Sequence, residues 1–195
     1  MKNFKIYLNA PITLGFVFIS LIVLIVSYIT HGASDIALFS TYRASITDPL
    51  LYVRLFTHIF GHIDMTHFMN NMLYILLLGP ILEEKYHSKM IGIIMGVALT
   101  TGIIHNIFTD SILMGASGIV FAFIILASIT GDKEGIPFTL ILVTIFYLGS
   151  ELYSAIFVKD NISQLTHIIG GITGALIGLM LKSPKFKSEK QDTML

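Results

Sequence analysis

Apolar residues run along this chain in long blocks broken by short polar punctuation. Six blocks approach the roughly 20 apolar residues that a bilayer-spanning helix requires. They are Ile12 to Thr30, Met65 to Leu82, Lys89 to Phe108, Gly115 to Thr130, Ile136 to Phe157 and Ser163 to Leu181. The stretches "HGASD", "EEKYHSK", "TDS", "GDKEG" and "VKDN" supply the turns between them. The first block is too long and too uniformly apolar for a signal-peptide core, so it reads as a retained helix. The connection from His31 to Asp64 is long and moderately apolar, and is expected to lie against the membrane face. The pattern therefore predicts an all-α, polytopic bundle of six transmembrane helices, one domain over residues 1–181, with a short polar tail over 182–195.

Composition strengthens this picture. Of 195 residues 54% are apolar and 12% charged, where soluble domains carry about 25% charged residues. Mean hydropathy is +0.82. Lys+Arg and Asp+Glu balance at 12 each, so net charge points to no nucleic-acid or acidic partner. The absence of cysteine removes disulfides, thiolate metal sites and a thiol nucleophile together.

Positive charge marks the cytoplasmic side of a membrane protein. With the N-terminus inside, the inner segments hold Lys2, Lys5, Lys85, Lys89, Lys133, Lys182, Lys185, Lys187 and Lys190. The outer segments hold only Arg43, Arg54 and Lys159. This asymmetry predicts cytoplasmic termini, and the second, fourth and sixth spans then start at the outer side. Short loops and a minimal core lean toward a prokaryotic plasma membrane.

In that orientation four polar residues fall at one depth. Ser117 opens the fourth span, His67 and Asn71 share a face in the first turns of the second, and His167 lies one turn into the sixth. At 1.5 Å of rise per residue, all four sit within roughly 10 Å of the outer ends of their helices. Polar side chains inside a span are costly and point to function. A serine hydroxyl needs a base, and His167 is the one available near that depth. A tetrahedral intermediate needs donors, which His67, Asn71 and the Ser117 amide can supply. Gly115, Ala116 and Gly118 allow the backbone to bend and a substrate peptide to approach. The short fourth span predicts a non-helical segment dipping below the surface, tolerated only in protein or around a wet cavity. Asp35, Asp48, Asp64, Asp110 and Asp160 belong to loops or helix mouths, so the expectation is a Ser–His dyad.

At these residues the chain resembles the rhomboid family of intramembrane serine proteases. The matching motifs are "GASG" (GxSG), "HFMNN" (HxxxN) and "HIIGGITG" (HxxGxxxG, with Gly170 and Gly174). "RLFTH" and the following "GH" resemble the family's first-loop pattern with Arg54, His58 and His62, and Glu83 a family glutamate at the inner end of the second span. The resemblance covers about residues 50–180. It implies Ser117 as nucleophile, His167 as general base, and an oxyanion hole of His67, Asn71 and the Ser117 amide, supported by Gly115, Gly118 and Phe121. It implies no cofactor or metal, and transmembrane proteins as substrates, cleaved within or near a spanning helix. It also implies substrate access beside the fifth span, under a loop at about Ser154 to Ile162. Three positions depart from the pattern: Val53 where many members have Trp, Phe121 for a common Tyr, and His87 for a usual Gly.

Blander readings compete with each feature. A Gly/Ala/Ser cluster is commonly a close-packing surface, and a lone intramembrane His or Asn is often interhelical glue. His58 and His62 are four apart, but there is no H-E-x-x-H, so loop packing or cavity lining is favoured over zinc. Glu83 pairs with Lys85 or Lys89, or caps a neighbouring helix. A non-enzymatic rival is a small transporter with a His67–His167 proton relay, or a silent relative that binds transmembrane clients.

Overall fold

The computed structural model describes residues 7–129, 138–157 and 164–181. The expected tail and most of the loop before the last helix lie outside these residues. The described chain is helical: α1 (Pro11–Ile29), α2 (Pro49–Thr57), α3 (Met65–Tyr86), α4 (Lys89–Phe108), α5 (Ser117–Ile129), α6 (Phe138–Phe157) and α7 (Gln164–Leu181). Among the described residues α1, α3, α4 and α7 are each long and apolar enough to cross a bilayer. These helices satisfy their own backbone groups, as a spanning segment must. The protein is a multi-pass integral membrane protein.

Proline at the first position starts α1 without wasting a donor. No local side chain caps that helix. Its first amides instead meet Glu83, brought from the far end of α3. The Glu83 carboxylate accepts from Ile12 N (2.8 Å), Thr13 N (2.8 Å) and Thr13 Oγ1 (2.7 Å). Of the roles considered for Glu83, capping a neighbouring helix is the one seen. An acidic group there also complements the positive end of the helix dipole. Gly79 lets the two helices close: a β-carbon on it would lie 2.5 Å from Thr13 Cγ2. α1 and α3 thus pack antiparallel.

The long first connection is a folded unit. After α1 the chain turns at His31 (φ 51°) and Gly32 (φ 82°), enters a π-helical turn over Asp35–Phe39, and reaches α2 and a 3₁₀ turn over His58–Phe60. Asp48 caps α2 through Leu50 N (2.9 Å). Arg54 gathers the loop: Nε donates to Ala37 O (3.0 Å), Nη1 pairs with Asp48 (3.2 Å), and the guanidinium sits 4.7 Å above the Tyr42 ring. These contacts are made with Val53, rather than an aromatic residue, exposed at the preceding position. Leu50, Tyr52 and Phe56 are exposed beside it, an apolar edge suited to a membrane face.

α5 lies at the centre, with eight of its side chains or glycines buried. It packs most extensively on α7. The register is parallel: Gly170 lies against Gly118, Gly174 against Ala122, and Gly178 against Leu126 and Ile129. Glycine at these positions brings the two backbones together. Over its described length α5 has 13 residues, or about 20 Å of a hydrocarbon core about 30 Å thick. The non-helical segment expected before Ser117 is present over residues 109–116.

Candidate active site

The first turns of α3, α5 and α7 and the last turn of α1 meet at one end of the bundle, around a cavity of about 940 Å³. Ser117, His167, His67 and Asn71 all line it. The four residues singled out by depth therefore share one wall system.

Ser117 is placed by the segment ahead of it. Thr41 and Leu113 exchange backbone hydrogen bonds (2.8 and 2.9 Å), joining the first loop to the segment after α4. Gly115 N donates to His58 O at 2.9 Å. Gly115 has φ 124°, a region that disfavours any side chain. Ala116 O then accepts from Ile119 N and Val120 N, and the helix begins. The amides of the first turn, that of Ser117 among them, have no acceptor within the helix.

His67 and Asn71 approach this turn from α3. A β-carbon on Gly115 would lie 2.7 Å from His67 Cε1, 2.8 Å from His67 Nε2 and 3.7 Å from Asn71 Nδ2. Both side chains therefore border the bare backbone just ahead of the serine. Asn71 is buried, and its Nδ2 has no hydrogen-bond partner among the described residues. Buried donors are normally paired, so this N–H is available to an acceptor that enters the cavity. Asp64 caps α3 through His67 N (2.7 Å), which fixes where His67 leaves the helix.

His167 is buried on α7, with its ring 4.4 Å from that of Phe121 at an interplanar angle of 43°. Phe121 stands one turn after Ser117, so the contact ties the imidazole to the serine's own helix. The residues next to Ser117 and His167 approach each other: a β-carbon on Gly118 would lie 3.5 Å from Thr166 Cγ2.

His58 and His62 sit behind the cavity and serve the loop. His58 Nδ1 is 3.1 Å from Arg54 O, and its carbonyl holds Gly115. The His62 ring lies 5.1 Å from His67 in an edge contact, with Nδ1 3.1 Å from Phe60 O. Burial, above all, pushes both imidazoles down to about 4, with the charges of His105 on His58 and His67 on His62 adding to it. Among the described residues no three His, Cys, Asp or Glu side chains are grouped to hold a metal ion. His87 ends α3 at φ 49°, the backbone region that glycine adopts without strain.

Reading the chain missed two features. Asp35 and Asp64 both line the cavity, although their place in a loop and at a helix mouth gives no expectation of it. Asp64 could have been found as a cap ahead of the periodic apolar run. Nothing local marks Asp35, because the α1 turn alone carries it into the wall.

The fold and site define a polytopic membrane protein with a cavity set among its helices, where serine and histidine side chains stand on a largely apolar wall. The rhomboid-domain family model matches residues 50–184. The chain belongs to the rhomboid family. Similar proteins include rhomboid-related protein 1 of Caenorhabditis elegans, 28% identical over 140 residues, covering 66% of this chain and 39% of that protein. Rhomboid-related protein 2 of Mus musculus is 27% identical over 157 residues, covering 68% and 52%. Rhomboid protease GlpG of Salmonella choleraesuis (strain SC-B67) is 33% identical over 91 residues, covering 45% and 33%. The chain thus spans between a third and about half of the length of these relatives.

Proposed function

We propose that this chain is an intramembrane serine endopeptidase that cleaves transmembrane proteins within or near a spanning helix. Ser117 Oγ attacks the scissile carbonyl carbon while His167 takes its proton. The oxyanion is held by Asn71 Nδ2, the His67 ring and the Ser117 amide. His167 then returns the proton to the departing amine, leaving an acyl group on Ser117. Water, deprotonated by the same imidazole, releases the new carboxyl end and restores the serine. No cofactor or metal takes part.

The observation that carries this reading is the unpartnered, buried Nδ2 of Asn71 beside Gly115, on the cavity that Ser117 and His167 share. Family membership supports it. The lysine asymmetry supports a cavity opening to the outer side with both termini cytoplasmic, in one domain over 1–181 with a tail over 182–195.

The test is purified wild type, Ser117→Ala and His167→Ala in detergent with a labelled transmembrane substrate. Wild type should cleave, and both variants should lose cleavage while folded. A fluorophosphonate probe should label wild type and not Ser117→Ala. Cleavage surviving both substitutions would remove Ser117 and His167 from the chemistry, and folded wild type that neither cleaves any of several substrates nor takes the probe would favour a client-binding protein instead.

A further inference from the structure

The wall of the cavity formed by the end of α1 and the turn after it carries a buried carboxyl group that the proposed chemistry does not use. Asp35 is only 4% exposed. Ser27, in the last turns of α1, donates its hydroxyl to Asp35 Oδ2. The other oxygen, Oδ1, is buried and has no hydrogen-bond partner among the described residues. Both Ser27 and Asp35 line the same cavity as Ser117.

A purely structural role accounts for half of this arrangement. Pinning the turn to α1 needs one acceptor for Ser27, and an amide oxygen would provide it without burying a charge. A carboxylate adds an under-compensated negative group, which is costly away from water unless a donor or cation meets it. Burial raises the Asp35 pKa, and the Ser27 hydrogen bond only partly opposes this. The rest of the wall offers no relief. Asp64 is the other carboxylate there, its Oδ1 already engaged by His67 N. The remaining titratable groups on the wall are His31, His67, His167, Tyr28 and Tyr74, and among the described lining residues there is no lysine or arginine.

We propose that Asp35, backed by Ser27, is a specificity-determining residue that accepts a basic side chain, lysine or arginine, from the substrate segment. The inference rests on the protease reading and adds a substrate preference to it. A cavity of about 940 Å³ is equivalent to a sphere about 12 Å across. An extended chain advances about 3.3–3.6 Å per residue, which places the basic residue about two to four positions from the scissile bond. A lysine or arginine stem can lie along Ile36 and Ile63, which also line the cavity, with its charged head at Asp35.

The test uses the full chain in detergent and a cleavable transmembrane substrate. Single Lys, Gln or Glu residues are placed in turn at the second to fourth positions on each side of the cut. Wild type should prefer Lys over Gln at one position by about five- to tenfold in kcat/KM, mainly through KM, with Glu disfavoured below Gln. In Asp35→Asn, which keeps the acceptor for Ser27, the Lys-to-Gln ratio should fall toward one; in Asp64→Asn it should persist. The ratio is the readout, whatever the absolute rate. Should Asp35→Asn not fold, the order Lys, Gln, Glu in wild type still decides. A flat series, or a preference that survives Asp35→Asn, overturns the proposal while leaving the protease intact. Failure of wild type to cleave any substrate or to take the fluorophosphonate label would instead remove the reading beneath it.

Discussion

Gly170 of α7 lies directly against the main chain of Gly118 on α5, and a β-carbon on Gly170 would overlap the Gly118 carbonyl. The contact is backbone on backbone, so no side chain can swing away to make room. Gly170 is one turn from His167, and Gly118 follows Ser117. The closeness of the two helices sets how near the first turn of α5 comes to that of α7, where Ser117 and His167 line one cavity. Gly170→Ala should therefore force the helices apart, destabilise the protein by about 1–3 kcal/mol and abolish probe labelling of Ser117. Gly96→Ala is the contrast, because its β-carbon would lie 3.8 Å from Ile177 Cδ1, an ordinary contact. That variant should be neutral or more stable, since alanine favours a helix by up to about 1 kcal/mol over glycine. Thermal midpoints in one detergent read both; equal midpoints for the two would refute the packing argument.

Asn71 tests the proposed oxyanion hole. Its Nδ2 has no partner to lose among the described residues. Asn71→Ala should slow turnover on the order of 10–1000-fold, as expected for one donor among several. The thermal midpoint should barely move. Steady-state kinetics that leave kcat intact would take Asn71 out of the mechanism.

Glu83 should matter for stability. It accepts three hydrogen bonds at the start of α1. Glu83→Gln replaces one acceptor oxygen with a donor facing other donors, and should cost about 1–3 kcal/mol. The exposed neighbour Glu84, changed to Gln, should cost little. Comparable midpoints for the two variants would contradict the capping role.

Acid should destabilise the fold through His58 and His62. Both have folded values of about 4, below the ordinary value of 6.5. The unfolded chain therefore binds protons first as pH falls. Stability is fully present above about pH 6.5 and is lost progressively toward pH 4, by on the order of 3 kcal/mol for each histidine. Midpoints measured from pH 7.5 down to 4.5 should fall, and His62→Gln should shallow the decline. A midpoint that holds steady or rises on acidification would count against buried, neutral imidazoles.

The long helices, their order and the polar residues in their first turns were legible because the rules that set them are local, whereas α2 falls in the connection expected only to lie against the membrane face. A span must satisfy its backbone internally, so length and apolarity alone marked α1, α3, α4 and α7. The helical period placed His67 and Asn71 one turn apart, and "GASG" announced a bare backbone at the start of α5. Other features depended on residues far apart in the chain. Glu83 reaches an amide 70 positions away, His58 holds Gly115 across the first loop, and the turn after α1 brings Asp35 into the cavity wall. Periodicity records which face of a helix is buried, but not which distant group it meets. Those pairings were decided by tertiary packing, because only the assembled bundle determines which hydrogen-bonding groups find partners and which are left facing a cavity.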